Sequence, residues 1–464
     1  MQRSQTYELI EYTAPEPTKL KTSWTTWVKR IGIRLLFPPI LLWDGIKFGV
    51  NRLAGETMGR LILAAQNDEY YNKYICTPEH PDPVGEKIKH INETKGAALT
   101  TMKGKVYTHD GACLDTFEIK QKADIPNNEK KYIINFLSAG MYYEEILNEM
   151  EEDAERLGCN IIGFNYRNVS RKDIETTISQ SPKSENDLVT DGIAQVQRLL
   201  DNGIKPENIT LPGHSLGGAI ATLVTSHFKK TGVQINVFND RSFSSITNFV
   251  IGHSRRMINN TETIFGKIVG YIIKPFVKLS LLATKWDMNV VEAYKNLPDA
   301  HKEYMVVQSS KEKRSKISRP KDDGTITPYA SLHAALKESR QVEKARLDEL
   351  IKQPHSSAAI QSGLANSPQA LVDARAQFKK RKMVSVGEPD ENAHMENRKY
   401  LYNRYDLGQI QRPLPQNMTH ADLAKISGTG KRFFYEFFKR ATGNSSPQIA
   451  PESFSSRLAC SAIT

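Results

Sequence analysis

The stretch that most restricts the fold is "NITLPGHSLGGAIATLV", residues 208–224, in which one apolar run passes into another through Gly213-His214-Ser215-Leu216-Gly217. The first run has strand character and the second has helical character. A buried strand can turn directly into a helix only through a tight, strained apex. Glycines two residues before and two after that apex remove Cβ atoms that would strike the neighbouring strand and helix. The pattern therefore predicts that the Ser215 hydroxyl projects above a sheet. The backbone N–H of Leu216, at the start of the helix, points into the same space. Gly218 and Ala219 extend the small surface.

The flanking sequence supplies the sheet. "GKVYTHDGACLDTFEI" reads as a hairpin, and "KYIINFLSAG" (131–140) as a buried strand ending in small residues. An amphipathic helix, "YYEEILNEMEEDAERLG", leads to a second buried strand, "NIIGFNYR" (160–167). The helix "ENDLVTDGIAQVQRLLDNG" precedes the Ser215 motif, and "QINVFND" (234–240) follows it as the next strand. "EYMVVQS" (303–309) and "KMVSV" (382–386) complete the set. Such alternation predicts a mostly parallel sheet with helices on both faces, an α/β chain, and the Gly213-x-Ser215-x-Gly217 turn between strand and helix within it suits the α/β-hydrolase fold.

Around this core the expected organisation is an N-terminal helical extension over 1–100, a hydrolase domain over 101–440 and a flexible tail over 441–464. Two insertions are expected within the domain, a cap over 251–290 and a helical stretch over 331–381. In the cap, "IFGKIVGYIIKPFVKLSLLA" (264–283) carries Lys267, Lys274, Pro275 and Lys278, which suits a cap or interfacial helix rather than a membrane span. Residues 23–54 are apolar and aromatic, but their longest uncharged stretch, Leu35 to Trp43, holds Pro38 and Pro39. A span needs ~20 apolar residues, so the segment reads first as helices packed on the domain. A membrane-interface element with Trp24, Trp27 and Trp43 is the second reading.

With 63 Lys and Arg against 52 Asp and Glu, the 464-residue chain carries +11. That surplus favours anionic partners. No zinc-finger spacing, RNA-recognition motif or basic arm is present, so an anionic membrane surface is expected and nucleic acid is not. The four cysteines form no CxxC pair, and neither a metal site nor a cofactor is expected. "SGTGKRF" lacks the spacing of a phosphate-binding loop, and Cys460 stands one residue off a prenylation position. The N-terminus lacks the apolar core of a secretory signal.

A serine hydroxyl is a weak nucleophile until a histidine, oriented by a carboxylate, takes its proton. In this fold the order along the chain is serine, acid, histidine. Asp323, in "KDDGTI" after the strand at 303–309, is the first candidate acid; Asp240, ending the strand "INVFND", is the second and Asp322 the third. Of eleven histidines, His394 follows the last short strand and is the candidate base. The second oxyanion donor is expected from "SAGM", with the N–H of Ala139 or Met141 joining that of Leu216.

"FLSAGMYYEE", "NYRNVS", "DLVTDGIAQVQRLL", "ITLPGHSLGGAIAT" and "VFNDRSFSSI" follow one another in an order that resembles the SidB/Sdb group of lipase-like α/β-hydrolases. That group consists of Legionella-type effectors delivered by the Dot/Icm type IV secretion machinery. A chlamydial hydrolase family is similar. The resemblance covers 103–246 and extends loosely to His394; "FLSAG" departs from the glycine-asparagine pair of the group. It implies an esterase or lipase acting on a lipid or acyl ester, translocated by a non-Sec route into a host cell. Two other readings stand beside it: a binding effector on a hydrolase scaffold with weak or no catalysis, and a peptidase on the same fold.

Overall fold

The computed structural model describes residues 8–16, 71, 75–169, 181–259, 264–305, 307–309, 326–327, 329–336, 384–386 and 434–443. Asp322, Asp323 and His394 lie outside the described residues, as do the segment 23–54, most of 331–381 and everything beyond Gly443.

Eight strands form one sheet: β1 (Glu8–Thr13), β2 (Leu99–Tyr107), β3 (Cys113–Gln121), β4 (Tyr132–Asn135), β5 (Asn160–Phe164), β6 (Ile209–His214), β7 (Asn236–Asp240) and β8 (Lys302–Met305). Their order across the sheet is β1-β2-β3-β5-β4-β6-β7-β8. β3 runs antiparallel to both β2 and β5, and every other pairing is parallel. The central strands β4, β5, β6 and β7 are buried along their whole length. This explains why they read as continuous apolar or small runs rather than as alternating ones.

The helices are α1 (Pro83–Thr94), α2 (Leu147–Leu157), α3 (Glu185–Asp201), α4 (Leu216–Lys230), α5 (Ile246–Asn259), α6 (Ile264–Thr284) and α7 (Val290–Lys295). The chain leaves β4 through α2 to reach β5 on one side, then returns through α3 past β4 to β6 on the other. Right-handed crossovers in opposite directions put α2 on one face of the sheet and α3, with α4, on the other. α4 packs on β6 and β7, beside α3 and α7. The reversal makes a crevice between the carboxyl ends of β4 and β6, the place where open parallel sheets bind their ligands. Strand order, crossovers and switch point together make this an α/β-hydrolase sheet.

Two further short strands, β9 (Val307–Ser309) and β10 (Val384–Val386), pair in parallel. They form a two-stranded sheet apart from the eight-stranded one. The helical residues 434–441 pack Phe437 against Phe238 of β7 and Met305 of β8. Tyr435 donates to Asp153 of α2 at 2.6 Å, which puts the segment on the α2 face.

The start of the N-terminal region includes a strand of the main sheet. Residues 8–13 are β1, paired with β2 from Glu8 opposite Met102 to Thr13 opposite Tyr107. Ile10 is buried and Glu11 after it is exposed, but six residues are too short for the period of a strand to stand out in the sequence.

Candidate active site

Ser215 sits at the junction of β6 and α4 with φ 54° and ψ −116°. A non-glycine residue in this region costs on the order of 1–3 kcal/mol and persists only where its surroundings hold it. Two backbone bonds do so: the Ser215 N–H donates to the Asp240 carbonyl at 2.9 Å, and the His214 N–H donates to the Phe136 carbonyl at 3.2 Å. The elbow is thereby fastened to β7 on one side and to the end of β4 on the other.

Both elbow glycines are required by the backbone around them. A Cβ on Gly213 would overlap the Gly217 carbonyl and lie 2.6 Å from the Gly218 nitrogen. A Cβ on Gly217 would overlap the Phe136 carbonyl and lie 2.6 Å from the Leu137 oxygen. Gly217 therefore does more than permit the turn. It lets the loop after β4 press against the first turn of α4, which brings two sources of backbone N–H groups to one crevice.

Leu216 is the first residue of α4, and its N–H has no carbonyl within the helix to bond. In the facing loop the Met141 N–H donates to the Ser138 carbonyl at 3.2 Å. Among the described residues the Ala139 N–H donates to no backbone carbonyl. The loop is held from the far side by buried Tyr166, whose hydroxyl donates to the Leu137 carbonyl at 3.2 Å. With Leu137 and Phe136 fixed, the loop cannot drift from the elbow without breaking these bonds.

Beneath the serine lies a buried charged pair. Arg241 donates to both oxygens of Asp240, from Nε to Oδ1 at 2.8 Å and from a terminal nitrogen to Oδ2 at 2.7 Å. His214 Nδ1 meets Asp240 Oδ2 at 3.0 Å. Burial alone would raise the Asp240 carboxyl, but the Arg241 charge and the His214 bond outweigh it and hold the group below its ordinary range. Asp240 is thus an ionised strut that ties the elbow to the end of β7. The Arg241 N–H continues the tie to the Met305 carbonyl of β8 at 2.9 Å.

Two more buried acidic sites line the same edge. Arg167, after β5, bridges Asp191 of α3 at 2.8 Å and Asp110 of the β2–β3 turn at 2.8 Å. Burial still pushes Asp191 up to about 6 against this pairing. Glu144, just after the loop that follows β4, accepts from Tyr71 at 3.0 Å and from Asn165 at 3.1 Å. Burial, reinforced by Asp115, pushes it up to about 7.

Ile326, three residues beyond Asp323, is buried where the chain returns beside the end of β7. There the Ser244 N–H donates to Ala330 at 2.7 Å and the Leu332 N–H to Ser242 at 3.1 Å. β10 ends eight residues before His394. Among the described residues no imidazole is hydrogen-bonded to the Ser215 hydroxyl. His333, in the expected helical stretch, instead places Nδ1 3.1 Å from the Tyr304 hydroxyl. Reading the sequence did not single out Arg241 or Tyr166. The signal for Arg241 was the adjacent acid and base in "FNDR", two opposite charges at the end of an apolar strand.

Residues 143–263 match the family described as Lipase (class 3), a stretch that begins just past the loop after β4 and contains the whole elbow. The chain is 22% identical over 194 residues to the multifunctional-autoprocessing repeats-in-toxin protein of Vibrio vulnificus; the match takes in 40% of this chain and 4% of that toxin's length. Among solved structures it is similar to an alpha-beta hydrolase from Vibrio vulnificus, at 20% identity and TM-score 0.34, covering 53% of this chain and 75% of that one. It is also similar to an acetyl xylan esterase from Paenibacillus sp. R4, at 11% identity and TM-score 0.32, covering 45% and 69%. The segment that bears Ser215 is thus similar to the class 3 lipases.

Proposed function

We propose, from a lipase-type segment set on an α/β-hydrolase sheet, that the chain cleaves an acyl ester of a lipid through an acyl-enzyme on Ser215. The Ser215 oxygen attacks the ester carbonyl carbon while His394 takes the hydroxyl proton, and Asp323 orients the imidazole. The oxyanion that forms is met by the N–H groups of Leu216 and Ala139. Collapse of the intermediate expels the alkoxide, which receives the proton from His394. Water then repeats the sequence on the acyl-enzyme and releases the carboxylic acid.

The observation that carries this reading is the strained Ser215 backbone at the β6–α4 junction, with the β4 loop pressed against Gly217. A turn with no catalytic duty has no need of that strain. Asp323 is preferred to Asp240 as the acid because both Asp240 oxygens are already engaged by Arg241, and one of them also by His214. Delivery into a host cell by Dot/Icm-type secretion is the finer part of the proposal, supported by the resemblance of 103–246. A translocation reporter fused to the chain tests it in secretion-competent and secretion-deficient bacteria.

Labelling of the purified protein by a fluorophosphonate tests the chemistry. Wild type is expected to label, and Ser215→Ala and His394→Ala to lose the label. An unlabelled wild type, with and without liposomes, would turn the reading to a binding effector on this scaffold.

A further inference from the structure

Among the described residues the exposed large hydrophobic side chains are Ile125, Phe276, Leu279 and Leu282. Three of the four lie on α6, at 69%, 53% and 53% exposure. Their spacing, three residues apart, places them in one strip along the helix. Burying any one of them would gain about 1.5–3 kcal/mol, so a strip of three left in water calls for a partner. Lys274 and Lys278, four residues apart, form a line beside the strip, and Lys285 follows the last helical residue, Thr284, with φ 59°; Lys278 and Lys285 are exposed. From Phe243 to Trp286 the chain holds Arg255, Arg256, Lys267 and these three lysines against one acidic residue, Glu262.

The opposite side of α6 is fixed. Leu281 and Trp286 are buried in the core. The Lys285 carbonyl accepts from the Glu185 N–H at the start of α3 at 3.0 Å. The segment that follows is tied to the end of the β7 turn, with Ile246 N–H donating to Asp287 at 2.9 Å and Val290 N–H to Ser244 at 3.0 Å. The start of α3 and the end of β7 both lie at the carboxyl edge of the sheet, the edge that carries Ser215. No described helix is long and apolar enough to cross a membrane. An apolar strip flanked by lysines, on a helix held rigidly from behind, matches a surface that lies in a bilayer interface.

We infer that α6 docks the protein on an anionic lipid bilayer, with Phe276, Leu279 and Leu282 among the acyl chains and Lys278 and Lys285 on the headgroups. This places the crevice of Ser215 on the membrane side of the molecule. The inference rests on the lipid-ester reading for its purpose but not for its test, because docking is measured without turnover.

The test is co-sedimentation of full-length Ser215→Ala protein with vesicles of phosphatidylcholine and phosphatidylserine, and of phosphatidylcholine alone. The comparison is repeated in Phe276→Ser/Leu279→Ser/Leu282→Ser, Lys278→Glu/Lys285→Glu and Ile125→Ser backgrounds. Binding is expected only with phosphatidylserine, weakening as salt rises. It should fall at least ~10-fold in the triple variant and on the order of 5-fold per lysine reversed. Ile125 follows β3 at the opposite edge of the sheet, so its variant should bind as Ser215→Ala alone does. The lysine variant keeps the apolar strip, so it reads the docking even where the triple variant fails to fold. Two results would overturn the inference. One is equal binding by Ser215→Ala protein and the lysine variant, or none by either. The other is a dimer in light scattering that the triple variant converts to monomer, which assigns the strip to a second copy of the chain.

Discussion

Ser215 hangs from Asp240: its N–H donates to the Asp240 carbonyl across 2.9 Å, while the Asp240 carboxylate grips His214, the residue before it, across 3.0 Å. One residue of β7 thus restrains two consecutive residues of the elbow, and Arg241 keeps that residue ionised in a buried site. The arrangement gives Asp240 the duty of securing the strained turn; in the proposed triad the duty of orienting the base falls to Asp323.

That division predicts opposite phenotypes. Asp323→Asn and His394→Ala should each lower kcat by about 10³–10⁴ with little change in the denaturant midpoint. Asp240→Asn should instead lower stability by about 3–5 kcal/mol, because the buried Arg241 charge loses its partner. Steady-state kinetics beside urea titrations checks this. A large kcat loss in Asp240→Asn at unchanged stability would exchange the two roles.

Arg241→Met should also destabilise, by a similar ~3–5 kcal/mol, through the uncompensated Asp240 carboxylate. The double variant Asp240→Asn/Arg241→Met should recover a large part of that loss. A double-mutant cycle measures the coupling, and additive losses would contradict a buried pair acting as a unit.

Gly217→Ala sets a Cβ against the Phe136 and Leu137 carbonyls, so either the loop after β4 or the start of α4 must move. The expected result is a fall of ~10² or more in kcat, as for loss of one oxyanion donor. A stability loss of about 1–3 kcal/mol should accompany it. Wild-type kcat in this variant would show that the loop does not supply a donor.

Glu144 gives the fold a pH dependence of definite sign. Burial and Asp115 raise it to about 7, so the neutral form is favoured in the fold more than in the unfolded chain. Its contribution is full below the ordinary carboxylate pKa and is lost as pH rises through about 7. Asp191, raised to about 6, acts in the same direction. Urea midpoints should fall from about pH 5.5 to about pH 8.5, by on the order of 1–3 kcal/mol in stability. Glu144→Gln should flatten that slope, and an unchanged slope would assign the dependence elsewhere.

The sheet was legible in the sequence because its central strands are buried on both faces and read as short apolar runs between helices of clear period. The elbow was legible because its demand for small residues is local: Gly213, Ser215 and Gly217 meet within a single turn. What holds the elbow was not, since Asp240, Arg241 and Phe136 come from other strands and become neighbours only through the strand order. β1 was missed for a related reason. Six residues pair with a strand more than ninety positions on, and nothing in "ELIEYT" announces its partner.

The central claim is a covalent acyl group on Ser215. Full-length protein mixed with a p-nitrophenyl acyl ester, acid-quenched during the burst and digested, answers it by peptide mass. The peptide that contains Ser215 should carry the acyl mass, and Ser215→Ala should show neither adduct nor burst. Turnover of the ester with the acyl group on another residue, or persisting in Ser215→Ala, would contradict the account.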